Sequence, residues 1–413
     1  MIVGLLKERT MKISLTQNEL AMMVINGTFI FVMSLASVFV NVVLYVISGS
    51  LVTMTLYTII RFGLFPFAFM LGAKLSNKYK IVYALVLGLS LLTLGYLGVL
   101  FAEGLIRSVW FMFYILAFVF GLGEGLFWFS MNALNQLISS EATRNTYLSV
   151  MGMVNAFAQI IAPLLATLIL SLTTSDQMGY TFIFQLVIVF MFIIIYFGLK
   201  MDSPPLPTAF KVREISLFTK HKDLNLVHLT HFMFGLRDSL VLVITGLLIY
   251  NATGGSGSVF SRLLALFALI NIIAFEVVRR FNTHKTMIKF FIFGGAIMSF
   301  SLLLIVYVPT LSGAVIYGLL ASFAGPFYVV PLQQIAMRAI GDHMGNKNMF
   351  SLVIAREISL TSGRVLGMVF VVLLSLIFPQ NFIMIAVTVL SIFPLGLTLV
   401  ASSVLRQTSV TAL

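Results

Sequence analysis

The chain has 413 residues, 60% of them hydrophobic and 9% charged, with 39 Phe, 22 Met and a formal net charge of +12. No soluble interior can hide that much apolar surface, so the composition dictates an all-α polytopic membrane protein. Cysteine is absent, which excludes disulfides, thiol catalysis and thiolate metal sites, and the bases sit at the ends of apolar segments rather than on a nucleic-acid-binding module.

The N-terminal apolar run ahead of Lys7 is too short for the hydrophobic region of a signal peptide. Hydropathy then marks twelve spans, at about 19–47, 51–73, 81–102, 109–138, 145–173, 181–200, 225–250, 258–280, 287–308, 312–338, 348–376 and 380–404. Nineteen of the 25 Lys and Arg fall on the side that holds the N-terminus; Arg107 and Arg262 fall on the other, and Arg61, Arg237, Arg356 and Arg364 lie inside spans. This bias predicts that both termini are cytoplasmic in a multi-pass protein of the plasma membrane. Residues 200–223 form the only long hydrophilic connection and carry three prolines. They read as a cytoplasmic linker (201–223) between a six-helix bundle at 1–200 and a second at 224–413.

The halves echo each other. Ser34-Leu35 followed by Tyr45 matches Ser239-Leu240 followed by Tyr250, and Gly125, Phe127 and Trp128 match Gly325, Phe327 and Tyr328. Matching offsets, hydropathy and a central linker indicate a duplicated six-plus-six architecture.

Buried charges supply the candidate site, since an acid at the centre of a membrane helix costs roughly 2.5–3.5 kcal/mol on insertion scales. In span four, Gly121, Glu124, Trp128, Met131 and Asn135 share one helical face, a stripe suited to a wet cavity; alternatively Glu124 is a structural partner of Arg61 on span two. In span seven the adjacent Arg237 and Asp238 point about 100° apart, so each needs a partner elsewhere. In span eleven Glu357, Thr361 and Arg364 form one stripe, in which Glu357 and Arg364 are too far apart to pair directly; Arg356 lies nearer the cytoplasmic end and can snorkel. The amides Asn132 and Asn155 either line a cavity or join helices. Glu276 reads as a structural partner of Arg279 and Arg280, and all five histidines fall in loops or at span ends, which argues against a buried histidine relay. No metal-ligand spacing, phosphate-binding loop or nucleophile constellation is present, so neither a cofactor nor enzymatic activity is expected.

Twelve spans, cytoplasmic termini, a charged central loop and duplicated halves resemble the major facilitator superfamily of secondary transporters. The loop between spans two and three of that family reads roughly G-x-L-A-D-R-x-G-R-K; here it is Gly72-Ala73-Lys74-Leu75-Ser76-Asn77-Lys78-Tyr79-Lys80, with Ser76 in place of the Asp that the family uses in a latch between halves. In span five, Ala158, Ala162, Pro163 and Ala166 resemble the antiporter pattern G-x3-G-P-x2-G with each Gly relaxed to Ala, a pattern associated with exporters. The resemblance implies alternating access in a monomer, with membrane lipids as surroundings. The acids Glu124, Asp238 and Glu357 are the candidates for proton coupling. Cavity candidates are Arg61, Trp128, Asn132, Asn135, Asn155, Arg237, Tyr328, Arg356, Thr361 and Arg364, with Gly72 and the span-five alanines as packing or gating positions. The expected activity is proton-coupled efflux of a lipophilic or amphiphilic small molecule. A flippase for a lipid with a polar or anionic headgroup is the alternative, and a non-transporting sensor or assembly factor a third.

Overall fold

The computed structural model describes residues 15–48, 51–101, 109, 111–174, 176–201, 209–283, 285–344 and 348–410. Arg107, Lys347 and most of the proline-rich part of the linker therefore lie outside the described residues.

Among the described residues twelve long helical segments follow one another. They are α1 (Gln17–Ser48), α2 (Leu51–Gly63 and Phe65–Ser76), α3 (Ile81–Phe101), α4 (Met112–Ile138), α5 (Glu141–Leu172) and α6 (Asp176–Lys200). After the linker come α7 (Lys222–Ala252), α8 (Gly257–Phe281), α9 (Met287–Tyr307), α10 (Leu311–His343), α11 (Met349–Ile377) and α12 (Phe382–Leu390 and Ile392–Val410). Among the described residues eleven are long and apolar enough to cross a membrane; α8 has the length as well.

Local chemistry explains the irregularities. α2 breaks at Leu64, where Pro66 opens the following helix and has no N–H to continue the ladder. Pro163 lies inside α5, and Pro326 and Pro331 lie inside α10. The α7–α8 connection turns on Gly254 and Gly255 at φ 68° and 76°, a region that side chains avoid. A π-helical turn at Val241–Thr245 interrupts α7 immediately after the Arg237–Asp238 pair; such turns leave a local break in the backbone ladder.

Within the first half α4 packs on α2 and α3, and α1 on α5 and α6; within the second, α7 packs on α11 and α9 on α10 and α12. The halves meet along two seams, α2 against α11 and α5 against α8. One apolar core joins first-half residues such as Phe69, Phe127 and Phe129 to Ala336, Ile340, Phe350 and Ile354 of α10 and α11. These second-half residues all lie at the end of the bundle that carries the linker. Polar contacts tie the halves together at the same end. Gln136 Nε2 donates to the Met337 carbonyl at 2.8 Å, and Asn145 Nδ2 donates to the Arg279 carbonyl at 3.0 Å. Asn145 Oδ1 accepts from Asn282 and Gln334 at 3.0 and 3.1 Å. The linker end is thus sealed.

The loop after α2 is built differently from the family pattern. Ser76 Oγ donates back to the Gly72 carbonyl of its own helix at 2.8 Å. The next residue, Asn77, brackets the Phe210 backbone of the linker, donating to its carbonyl at 2.9 Å and accepting its N–H at 2.7 Å. Gly72 lies against the Phe129 ring, so α2 and α4 approach closely there. Ala158, Ala162 and Ala166, at four-residue spacing, are all buried, which makes this stripe of α5 a packing face.

Candidate substrate and coupling site

Two buried ion pairs lie near one another in the bundle, on either side of the Phe62 ring. Arg61 sits near the centre of α2 and Glu124 near the centre of α4. Gly121 lets the two backbones touch: a Cβ there would stand 3.0 Å from the Arg61 Cα. The helices are therefore close enough for Arg61 to bind Glu124 through two nitrogens, Nε to Oε2 at 2.9 Å and Nη2 to Oε1. Glu124 is almost wholly buried, whereas the Arg61 side chain keeps 20% exposure.

The second half repeats this device on different helices. A Cβ at Gly235 would stand 2.9 Å from the Arg364 amide nitrogen, and one at Gly363 would stand 2.9 Å from that of Leu236. This contact between α7 and α11 places Asp238 Oδ2 2.8 Å from Arg364 Nε. The partner that Asp238 requires is thus Arg364, and Glu357 is bonded instead by its own-helix neighbour Thr361, whose hydroxyl donates at 3.1 Å. Glu357 is 3% exposed and forms no ion pair among the described residues.

One ring stands between the two ion pairs. Arg364 Cζ lies 5.0 Å from the centroid of the Phe62 ring, and Arg61 Cζ lies 5.9 Å from it. Both distances fall within the range in which a guanidinium is attracted to an aromatic face. A first-half side chain thus touches the ion pair of the second half.

The other candidates disperse. Arg237 points into the second-half core, with Nη2 4.0 Å from Met298 Sδ and Nε lacking a hydrogen-bond partner. Tyr328 is fully buried against Phe234 and Phe291. In the first half Trp128 packs edge-on against Phe29, and Asn132 donates to the Trp128 carbonyl at 2.8 Å. Asn135 accepts from the Tyr147 hydroxyl, and Asn155 accepts from Asn26 at 2.7 Å. Asn135 and Asn155 thus bond across helices, and Asn132 bonds within its own helix.

Two expectations need correction. Arg356 is 5% exposed with no hydrogen-bond partner on Nε, so it does not snorkel to water. The first turns of α11 lie inside the seam between the halves, which removes any path outward. Nor are all the histidines peripheral: His228 and His231 are buried on α7, and His231 Nδ1 bonds the Val227 carbonyl at 2.9 Å. Sequence reasoning also passed over Phe62 and Asn145. Adjacency to Arg61 was the available signal for Phe62; for Asn145 it was its place in the polar turn between spans four and five.

The Major Facilitator Superfamily model matches residues 20–360. The uncharacterized protein YqgE of Bacillus subtilis (strain 168) is 24% identical over 362 residues, which cover 86% of this chain and 82% of that protein. Among solved structures, the proton:xylose symporter XylE bound to 6-bromo-6-deoxy-D-glucose is similar at a TM-score of 0.72 and 13% identity, covering 92% of this chain and 94% of that one. A bacterial homologue of the iron transporter ferroportin, in an outward-facing state, is similar at a TM-score of 0.67 and 14% identity, covering 95% of this chain and 100% of that one.

Proposed function

The chain belongs to the Major Facilitator Superfamily, and on that basis we propose that it is a proton-coupled secondary transporter exporting a lipophilic or amphiphilic small molecule by alternating access. The moving bodies are the bundles at 1–200 and 224–413, with the linker and both termini cytoplasmic in the plasma membrane. The sealed linker end is then the cytoplasmic gate, closed.

The observation that carries the reading is the pair of buried ion pairs, Arg61–Glu124 and Arg364–Asp238, joined through Phe62. Protonating a carboxylate removes the charge that holds its arginine. Loss of Asp238 as a partner frees Arg364 to leave Phe62 or to take a polar group of the substrate, so proton binding and helix movement are linked. A proton moving down the membrane potential supplies ~2.3 kcal/mol per 100 mV. The Ala-for-Gly pattern of α5 supports export, and the Phe- and Met-rich walls favour an amphiphile. The flippase alternative calls for a lateral opening beside Arg356 and Arg364. Arg356 is instead buried, and Arg364 is engaged by Asp238 and Phe62.

The test is transport in proteoliposomes under an imposed pH gradient, with an amphiphilic fluorescent dye as probe and an entrapped pH indicator reporting proton movement. Glu124→Gln and Asp238→Asn should abolish gradient-driven movement while leaving dye equilibration down its own gradient. Gradient-driven transport unchanged in both variants would remove these acids from coupling.

A further inference from the structure

A concavity lies outside the charged centre. Met153 of α5 and Ile272, Ile273, Glu276, Val277, Arg280 and Phe281 of α8 line a groove of about 590 Å³ on the α5–α8 seam, at the linker end. Its size falls in the range of small-molecule sites, yet it opens sideways. Ile273 and Phe281 on its wall, and Phe157 and Ile161 further along α5, are all exposed apolar residues, so the groove opens on the outer apolar surface of the helices rather than on the charged centre.

The mouth of the groove is positively charged. Glu276 is shared by Arg279 and Arg280, so one carboxylate faces two guanidiniums. Arg280, on the groove itself, keeps a largely exposed side chain. Lys285 and Lys289, both exposed, follow Arg280 by five and nine residues along the chain. An apolar slot beneath an excess of positive charge complements an acyl chain beneath a phosphodiester. Basic pockets between membrane helices recognise anionic headgroups in this way.

We propose that the α5–α8 groove is a binding site for an anionic glycerophospholipid of the surrounding bilayer. One acyl chain lies along Met153, Ile273, Val277 and Phe281, and the phosphate engages Arg280. The site spans both halves: Met153 and the α8 residues stand together only while α5 and α8 are packed, as they are when the linker end is sealed. The bound lipid therefore favours that arrangement and is released, or displaced along the seam, when the halves rock apart. This occupant is distinct from the transported molecule, and the proposal stands whether or not the central acids carry protons.

The test is native mass spectrometry of the full chain released from nanodiscs of equal phosphatidylglycerol and phosphatidylcholine, for the wild type and three variants. Wild type should retain phosphatidylglycerol selectively. Arg280→Gln removes one headgroup charge and should weaken retention about fivefold, while Ile273→Trp fills the slot and should weaken it without any change of charge. Lys200→Gln removes a base at the end of α6, away from the groove, and should leave retention unchanged. Equal retention in wild type, Arg280→Gln and Ile273→Trp would overturn the proposal. So would a loss in Lys200→Gln matching that in Arg280→Gln, or competition by inorganic phosphate as effective as that by added phosphatidylglycerol.

Discussion

Removing Glu124 leaves Arg61 without its counter-charge near the middle of the membrane, and the structure sets the size of that effect. Breaking a fully buried ion pair by deleting one partner costs about 3–5 kcal/mol. Arg61 retains 20% side-chain exposure and is thus not fully buried, so we predict a smaller loss, about 2–3 kcal/mol, for Glu124→Gln. This corresponds to a change of roughly 30- to 150-fold in the folded-to-unfolded ratio. The double variant Arg61→Met/Glu124→Leu replaces both charges with apolar groups of similar length and removes the orphaned guanidinium, so it should recover most of the loss. Equilibrium unfolding in mixed micelles of wild type, each single variant and the double variant gives the coupling directly. The expected coupling is about 2 kcal/mol, and a value below about 0.5 kcal/mol, the scatter for independent sites, would refute the reasoning.

Two further outcomes follow from close approaches at the seams and within the second half. Gly363→Val puts a side chain against the Phe232 backbone, forcing α7 from α11 and separating Asp238 from Arg364; a loss of about 2–3 kcal/mol is expected by the same unfolding assay. Gly325→Ala is the control, because a Cβ there meets nothing within 4 Å, and it should be neutral or stabilising. Asn145→Ala deletes hydrogen bonds to Arg279, Asn282 and Gln334 across the linker-end seal. At about 1 kcal/mol per bond the three bonds amount to about 3 kcal/mol, so the equilibrium should shift toward opening by about 150-fold. Because the chain contains no cysteine, a single Cys at Leu148 reports the change as faster maleimide labelling; an unchanged rate would show that these bonds do not hold the seal.

Helix count and approximate span edges were legible in the sequence because burial in lipid demands long apolar runs, a local property. The span expected at 109–138 is Met112–Ile138 in the structure. The partners of buried charges are not local, and the sequence offered them as alternatives. Which of those occurs depends on Gly121 and on the Gly235–Gly363 contact, where missing side chains allow particular helices to touch. The two corrected expectations share a cause. Arg356 and the histidines of α7 were judged by their distance along the chain from a span end, but depth in water is set by the neighbouring helix. The sealed end buries the first turns of α11 and most of α7 from Leu224 to His231, so Arg356, His228 and His231 are buried although they lie near span ends.

The two ion pairs are alike in chemistry but not in placement, and the difference bears on mechanism. Arg61–Glu124 lies within the first half, between α2 and α4, so rocking of the halves as bodies leaves it intact. Arg364–Asp238 lies within the second half, yet Arg364 also rests on Phe62 of α2. Desolvated contacts of this kind contribute about 2 kcal/mol, enough to bias a balanced two-state equilibrium roughly 30-fold. On the proposed mechanism the Phe62–Arg364 contact, rather than either salt bridge, senses the relative position of the halves, and Asp238 sets whether Arg364 is held toward it. Arg61–Glu124 and Arg364–Asp238 each balance their own charge, while Arg237 lies in the second-half core and Arg356 in the linker-end seam, so on the proposed mechanism a substrate meets net charge only where one of the two pairs opens.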